Sequence, residues 1–162
     1  MLFRSRTAIA TQTNGTLWSW GNNTNGALGQ NDLTHRSSPT QIGTLTTWNR
    51  IPDNGFYAEH IIATNTSGQM YSWGLNSAGQ LGLSDQTNRS SPALVGSRTV
   101  WDNIALGFRT SIITTSTYEL WSFGAGTNGA LGLNSTTSIS SPSQVGNISA
   151  WTDLKAGNNF AL

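Results

Sequence analysis

Apolar and polar residues alternate along this chain in short runs, and the runs come back in the same order. The first, Thr7-Ala8-Ile9-Ala10-Thr11, returns in kind as Thr110-Ser111-Ile112-Ile113-Thr114. A second, Leu17-Trp18-Ser19-Trp20-Gly21, returns as Met70-Tyr71-Ser72-Trp73-Gly74 and as Leu120-Trp121-Ser122-Phe123-Gly124. Its large side chains fall two apart, and residues two apart face one side of a sheet. Between the two runs stand pairs such as Asn14-Gly15 and Ser67-Gly68, which suit a tight hairpin. The pattern therefore predicts strand, turn, strand at the head of each copy.

Further landmarks keep the same register. Leu28-Gly29, Leu81-Gly82 and Leu131-Gly132 follow the second run. Ser-Ser-Pro then ends at Pro39, Pro92 and Pro142, with a glycine four residues beyond each, at Gly43, Gly96 and Gly146. A tryptophan with an aliphatic at the third position closes each copy: Trp48 with Ile51, Trp101 with Ile104, Trp151 with Leu154. Self-similarity at a fixed period marks a repeat architecture. Each copy reads as four short antiparallel strands. A polar loop ends in Ser-Ser-Pro, a short third strand such as Thr40-Gln41-Ile42 follows it, and the Trp-centred segment is the fourth. Four strands per roughly fifty residues, repeated, is the signature of a β-propeller blade.

The expectation is an all-β chain, one partial propeller domain over residues 1–162. Its repeats run approximately 7–59, 60–109 and 110–159, and residues 160–162 start a fourth. Thr7 and Phe160 hold the same place in the period, and the sequence stops inside an apolar run. Known propellers use about four to eight blades. Three are therefore expected to belong to a longer propeller, with closure by several chains as the alternative.

Composition narrows the function. Only 9% of residues are charged and the net charge is +1. That argues against nucleic acid as a partner, because phosphate binding needs clustered Lys and Arg, and Lys155 is the sole lysine. The absence of cysteine removes a disulfide scaffold, a thiolate zinc site and a thiol nucleophile. No run is apolar enough to span a bilayer as a helix, and the first residues lack a signal-peptide core.

The motifs Trp20-Gly21-Asn22-Asn23-Thr24-Asn25-Gly26-Ala27-Leu28-Gly29 and Trp73-Gly74-Leu75-Asn76-Ser77-Ala78-Gly79-Gln80-Leu81-Gly82, with Ala156-Gly157-Asn158-Asn159 near the end, resemble the regulator of chromosome condensation repeat family. The resemblance covers essentially the whole chain and points to a bacterial or phage-type member. It implies a ring of about seven four-stranded blades. It does not carry over the nucleotide-exchange activity of the founding member, since one fold hosts many functions. The family's inner-strand histidine is kept only at His60, where the other copies have Thr7, Thr110 and Phe160. The family's acidic turn is kept at Asp32 and Asp85, with Ser135 in the third copy.

Candidate chemistry is sparse. His60 follows Glu59, but no second histidine lies at a metal-binding spacing, so a structural role is expected. His35 is expected in an exposed loop. The carboxylates sit mostly in turns, and nothing selects the convergent pair that a glycosidase needs. No serine elbow of the Gly-x-Ser-x-Gly kind exists. No catalytic residue, cofactor or metal is expected, and the chain is read as a non-enzyme. The structural positions of the repeat are Trp20, Gly21, Gly29, Trp48, Trp73, Gly74, Gly82, Trp101, Gly124, Gly132 and Trp151. The recurrent tryptophans are read as packing between blades, and the glycines as turns or close backbone approaches. Copy one carries extra residues between Ile51 and His60, and loop insertions in repeat proteins map to one, often binding, face. Asp53, Asn54, Gly55, Phe56 and Tyr57 form the candidate binding loop.

Three functions compete. A structural or adhesive propeller of a virion (a phage tail fibre or decoration protein) or of a microbial surface fits the low-charge, Ser/Thr/Asn-rich composition. Its partners would be other protein chains, further blades of the same protein, or surface glycans. A regulatory scaffold or exchange factor, with a cytoplasmic setting, is the alternative; it predicts a charged face or inserted wedge, which the sequence does not display. A carbohydrate-acting enzyme ranks last.

Overall fold

The computed structural model describes residues 7–52 and 58–157. Its strands are β1 (Thr7–Thr11), β2 (Leu17–Gly21), β3 (Arg36–Gln41), β4 (Trp48–Arg50), β5 (His60–Asn65), β6 (Met70–Gly74), β7 (Arg89–Leu94), β8 (Trp101–Leu106), β9 (Thr110–Thr115), β10 (Glu119–Gly124) and β11 (Ile139–Ser149). They form three antiparallel sheets, β1-β2-β3, β4-β5-β6-β7 and β8-β9-β10-β11.

The central hairpin keeps one register in all three. Thr7 faces Gly21, His60 faces Gly74 and Thr110 faces Gly124. Glycine at the last position has a steric cause: a Cβ on Gly74 would lie 2.6 Å from the Glu59 carbonyl oxygen. In each hairpin the middle serine turns inward and spans the sheet edge. Ser19, Ser72 and Ser122 each donate a 2.7 Å hydrogen bond to the carbonyl of Leu28, Leu81 and Leu131. The recurrent Leu-Gly motif is thereby tied to the strand that precedes it.

Two expectations need correction. Ser-Ser-Pro does not precede the third strand but lies inside it, within β3 and β7. The register shifts between Ser19 and Gly21 opposite this segment, and likewise between Ser72 and Gly74. Proline lacks an N–H, so it is tolerated on an edge strand and at such a bulge.

The second correction concerns the tryptophan strand. β4 does not complete the sheet of the three strands before it. It pairs with β5 of the next copy, Trp48 opposite Asn65, and β8 pairs with β9, Ala105 opposite Ile112. The tryptophan backbone N–H still donates backwards, from Trp48 to the Gly15 carbonyl and from Trp101 to Gly68, at 3.1 and 3.2 Å. Each tryptophan strand therefore starts at the hairpin of one sheet and runs along the inner strand of the next. Trp151 makes the same backward bond, to Tyr118 at 3.2 Å, but lies in no described strand and is 39% exposed.

The core lies between successive sheets. Leu17 and Ile42 of the first unit cluster with Trp48, Ile61, Ala63 and Trp73 of the second. Met70 and Val95 cluster with Trp101, Ile104, Ile113 and Phe123 across the second junction. Fully burying each such side chain contributes roughly 1.5–3 kcal/mol, so the joints hold the array together.

Candidate functional site

The joint between blades is built from four groups. Trp73, fully buried, lays its ring against Gly29, where a Cβ would stand 2.9 Å from the indole nitrogen. Gly29 also has φ +67, a left-handed conformation that other residues adopt only with strain. The indole N–H crosses the joint to the Ala27 carbonyl at 3.0 Å. Trp48 closes the pocket edge-on, with ring centroids 6.0 Å from Trp73 and 5.3 Å from Tyr71.

The second joint repeats the shape with different chemistry. Phe123 replaces tryptophan over Gly82, whose Cβ would lie 2.9 Å from the ring. Phenylalanine has no N–H to give. The carbonyl equivalent to Ala27 is that of Gln80, and the Ser111 hydroxyl donates to it at 2.7 Å. Because that hydroxyl proton is committed, His60 must donate its Nε2 proton to Ser111 Oγ at 2.9 Å. His60 is fully buried, and burial pushes its pKa down to about 3. It is thus a neutral, Nε2-protonated link between the second and third sheets.

The loops after β2 and β6 share a buried asparagine cap. Asn76, fully buried, gives its amide to the Asp85 carbonyl and carboxylate and to the Thr87 carbonyl, and accepts from Leu81 N–H at 2.9 Å. Asn23 makes the same set with Asp32, Thr34 and Leu28. The Asp carboxylates cap the backbone N–H of Thr34 and Thr87 and pair with Arg36 and Arg89. These backbone bonds and the adjacent guanidinium groups hold both carboxyls below their ordinary value. His35, exposed, accepts from Asn23 N–H through Nδ1, and Asn88 does the same for Asn76. In the third copy Gly126 replaces the asparagine and the cap is gone.

Among the described residues the remaining carboxylates also go to separate partners, Glu119 accepting from the Thr115 hydroxyl. Asp102 meets Arg50, Glu59 meets Asn25, and Asp153 meets Lys155, whose ammonium lowers its pKa. Among the described residues no group of three His, Cys, Asp or Glu side chains converges. No helix there is long and apolar enough to cross a membrane.

Of the repeat positions, Gly29, Trp48, Trp73, Gly82 and Trp101 lie at joints, and Gly21, Gly74 and Gly124 close the hairpins. Trp20, equivalent to Trp73, is half-buried on the first sheet, and Gly132, equivalent to Gly29 and Gly82, is exposed on the third unit. The candidate loop Asp53, Asn54, Gly55, Phe56 and Tyr57 lies outside the described residues. Sequence reasoning passed over Ala27, Gln80 and Ser111, which act through backbone carbonyls and a hydroxyl. It gave no role to Asn23 and Asn76, although both stand in the recurrent motif.

Four-stranded sheets that pass a strand forward and repeat one joint define a β-propeller repeat protein. A model of the regulator of chromosome condensation (RCC1) repeat matches residues 14–51, 67–108 and 119–162, and the chain belongs to that family. It is 37% identical over 90 residues to the human probable E3 ubiquitin-protein ligase HERC3, covering 54% of this chain and 8% of that protein. It is 37% identical over 89 residues to the Arabidopsis thaliana ultraviolet-B receptor UVR8, covering 55% of this chain and 20% of the receptor. In fold it is similar to Prp20p of Saccharomyces cerevisiae, whose structure was described with its binding to Gsp1p and histones. The TM-score is 0.77 at 19% identity, over 90% of this chain and 37% of Prp20p. The chain thus spans a minor part of each relative.

Proposed function

We propose that this chain is an arc of a non-enzymatic, protein-binding propeller. Its role would be that of a regulatory scaffold or exchange-factor-like platform, in a ring completed to about seven blades. The observation that carries the proposal is the joint. Buried aromatics, a crossing indole bond and the His60–Ser111–Gln80 chain fix three blades in register, and a rigid array presents its loops at fixed spacing. The relatives support the regulatory reading: the matched proteins include a light receptor and named ligases, and Prp20p is described with protein partners. Nothing in them points to a virion, a cell surface or glycans, so those readings from composition are set aside. Further blades would cover the exposed Gly132 and the half-buried Trp20. Residues 53–57 are the proposed first point of contact, because loop insertions in repeat proteins often mark the binding face.

The test is a titration of the full chain against a purified small GTPase and purified core histones, with nucleotide release from the GTPase followed in parallel. Saturable binding of either, weakened by replacing Phe56 and Tyr57 with serine, is the expected result. No saturable binding to either partner would remove the regulatory reading.

A further inference from the structure

A cleft of about 320 Å³ opens between the second and third sheets, within the size range of small-ligand sites. Leu83, Leu94, Val95, Trp101 and Pro142 supply its apolar wall, with the hydroxyls of Ser84, Ser97 and Ser141 among its other lining groups. Arg98 also lines it and lies over the Trp121 ring, 4.4 Å from the centroid. Among the described residues the arginines at 36, 50 and 89 are matched by carboxylates, and Arg98 is not. Leu94 is 45% exposed, a large aliphatic facing water.

Trp101, Val95 and Pro142 have counterparts in Trp48, Ile42 and Pro92 at the first joint, but four other groups are particular to the second. At the equivalent positions the first joint carries Leu45 for Arg98, Gln41 for Leu94, Tyr71 for Trp121 and Gln30 for Leu83. Gln30 turns inward there and bonds the Thr40 carbonyl at 3.1 Å. The second joint has exchanged that polar plug for an apolar wall and has gained a guanidinium. Arg98 sits over the Trp121 ring with no carboxylate partner among the described residues, and a guanidinium matches a carboxylate with two parallel bonds. One cation beside apolar walls suits a monoanion, since a second negative charge would find no counter-charge there.

We propose that this cleft binds a small apolar carboxylate. The ring or branched chain lies between Leu94, Trp101 and Pro142, and the carboxylate forks onto Arg98. The site is independent of the partner-binding role proposed above.

The probes are 3-phenylpropionate and its uncharged amide, titrated into the full chain by calorimetry and by NMR of the Trp101 and Trp121 indole N–H signals. The expected result is saturable shifts of both signals with the acid and binding at least roughly tenfold weaker with the amide, as one charge-assisted contact implies. Arg98→Leu, the residue copy one carries, removes the preference for the acid. Leu94→Gln, again the copy-one residue, weakens acid and amide alike. Should Arg98→Leu disturb the joint, seen as altered Trp73 and Trp101 signals without ligand, Arg98→Gln replaces it with the same expectation. Equal binding of acid and amide, unchanged binding in the Arg98 variants, or no saturable shift into the millimolar range would each overturn the proposal.

Discussion

Replacing Trp73 by phenylalanine isolates the indole hydrogen bond that crosses the first joint. The ring itself should fit, because Phe123 occupies the same position against Gly82 in the second joint. What is lost is the donor to the Ala27 carbonyl, 3.0 Å away. Ala27 is 4% exposed, so water has little access to replace that donor, and no other donor reaches its oxygen among the described residues. An unsatisfied buried acceptor costs about 1–3 kcal/mol. For a chain of this length each kcal/mol lowers Tm by about 2–4 °C, which places the loss at about 2–12 °C in a thermal melt followed by circular dichroism. Trp18→Phe is the control. Its indole donates to the Thr16 hydroxyl at 2.9 Å, but Trp18 is only half-buried, and Thr16 keeps Gln12 and Asn14 as partners. That variant should lose no more than about 1 kcal/mol. If Trp73→Phe loses no more than Trp18→Phe, the crossing bond does not hold the joint.

Three further outcomes follow from the same contacts. Burial holds His60 at about 3, below the ordinary 6.5, so the unfolded chain takes up a proton that the folded chain refuses. Stability is complete above about 6.5 and is lost as pH falls toward about 3. His60→Thr, the residue at positions 7 and 110, should flatten the urea midpoint from neutral pH to about 4.5, and curves parallel to the parent would contradict this. Asn76→Ala should cost at least about 2 kcal/mol, because it strips several buried groups of their partner, whereas Arg89→Ala, on a half-exposed pair, should cost no more than about 1 kcal/mol; equal midpoints in denaturant would refute the ranking. Gly82→Ala and Gly96→Ala both place alanine at positive φ, but only the first drives a Cβ into Phe123, the second meeting nothing within 4 Å. Gly82→Ala should therefore melt lower, and coincident melts would show that backbone strain alone matters.

The repeat was legible because its landmarks carry physical duties at every turn of the period. The Trp-Ser-Trp-Gly run reads as a strand since its large side chains alternate, and the structure returns it at β2, β6 and β10 with one register. Where a blade begins was not legible. A periodic pattern can be cut at any phase, and the choice that gives β4 to the following sheet is made by hydrogen bonds to residues such as Asn65, which no local pattern announces. Ser-Ser-Pro was placed at the end of the loop before its strand, and the bulge that brings it inside the strand depends on the partner strand. The second joint was hidden for another reason: Ser111 and Gln80 look like ordinary polar residues until the Phe123 substitution removes the indole donor that the first joint uses. The extra length of copy one at residues 53–57 is a reading of the sequence alone, since those residues lie outside the described structure.

The passing of the tryptophan strand from one sheet to the next underlies the joints, the cleft and the rigid platform alike. Its most direct test is a set of cross-strand nuclear Overhauser contacts in the isotope-labelled full chain. The expected result is close backbone contact between Ala105 and Ile112 and between Trp48 and Asn65, each joining a tryptophan strand to the copy that follows. Contacts from the Trp48 strand to Gln41 and Thr40 of β3, with none to Asn65, would contradict it.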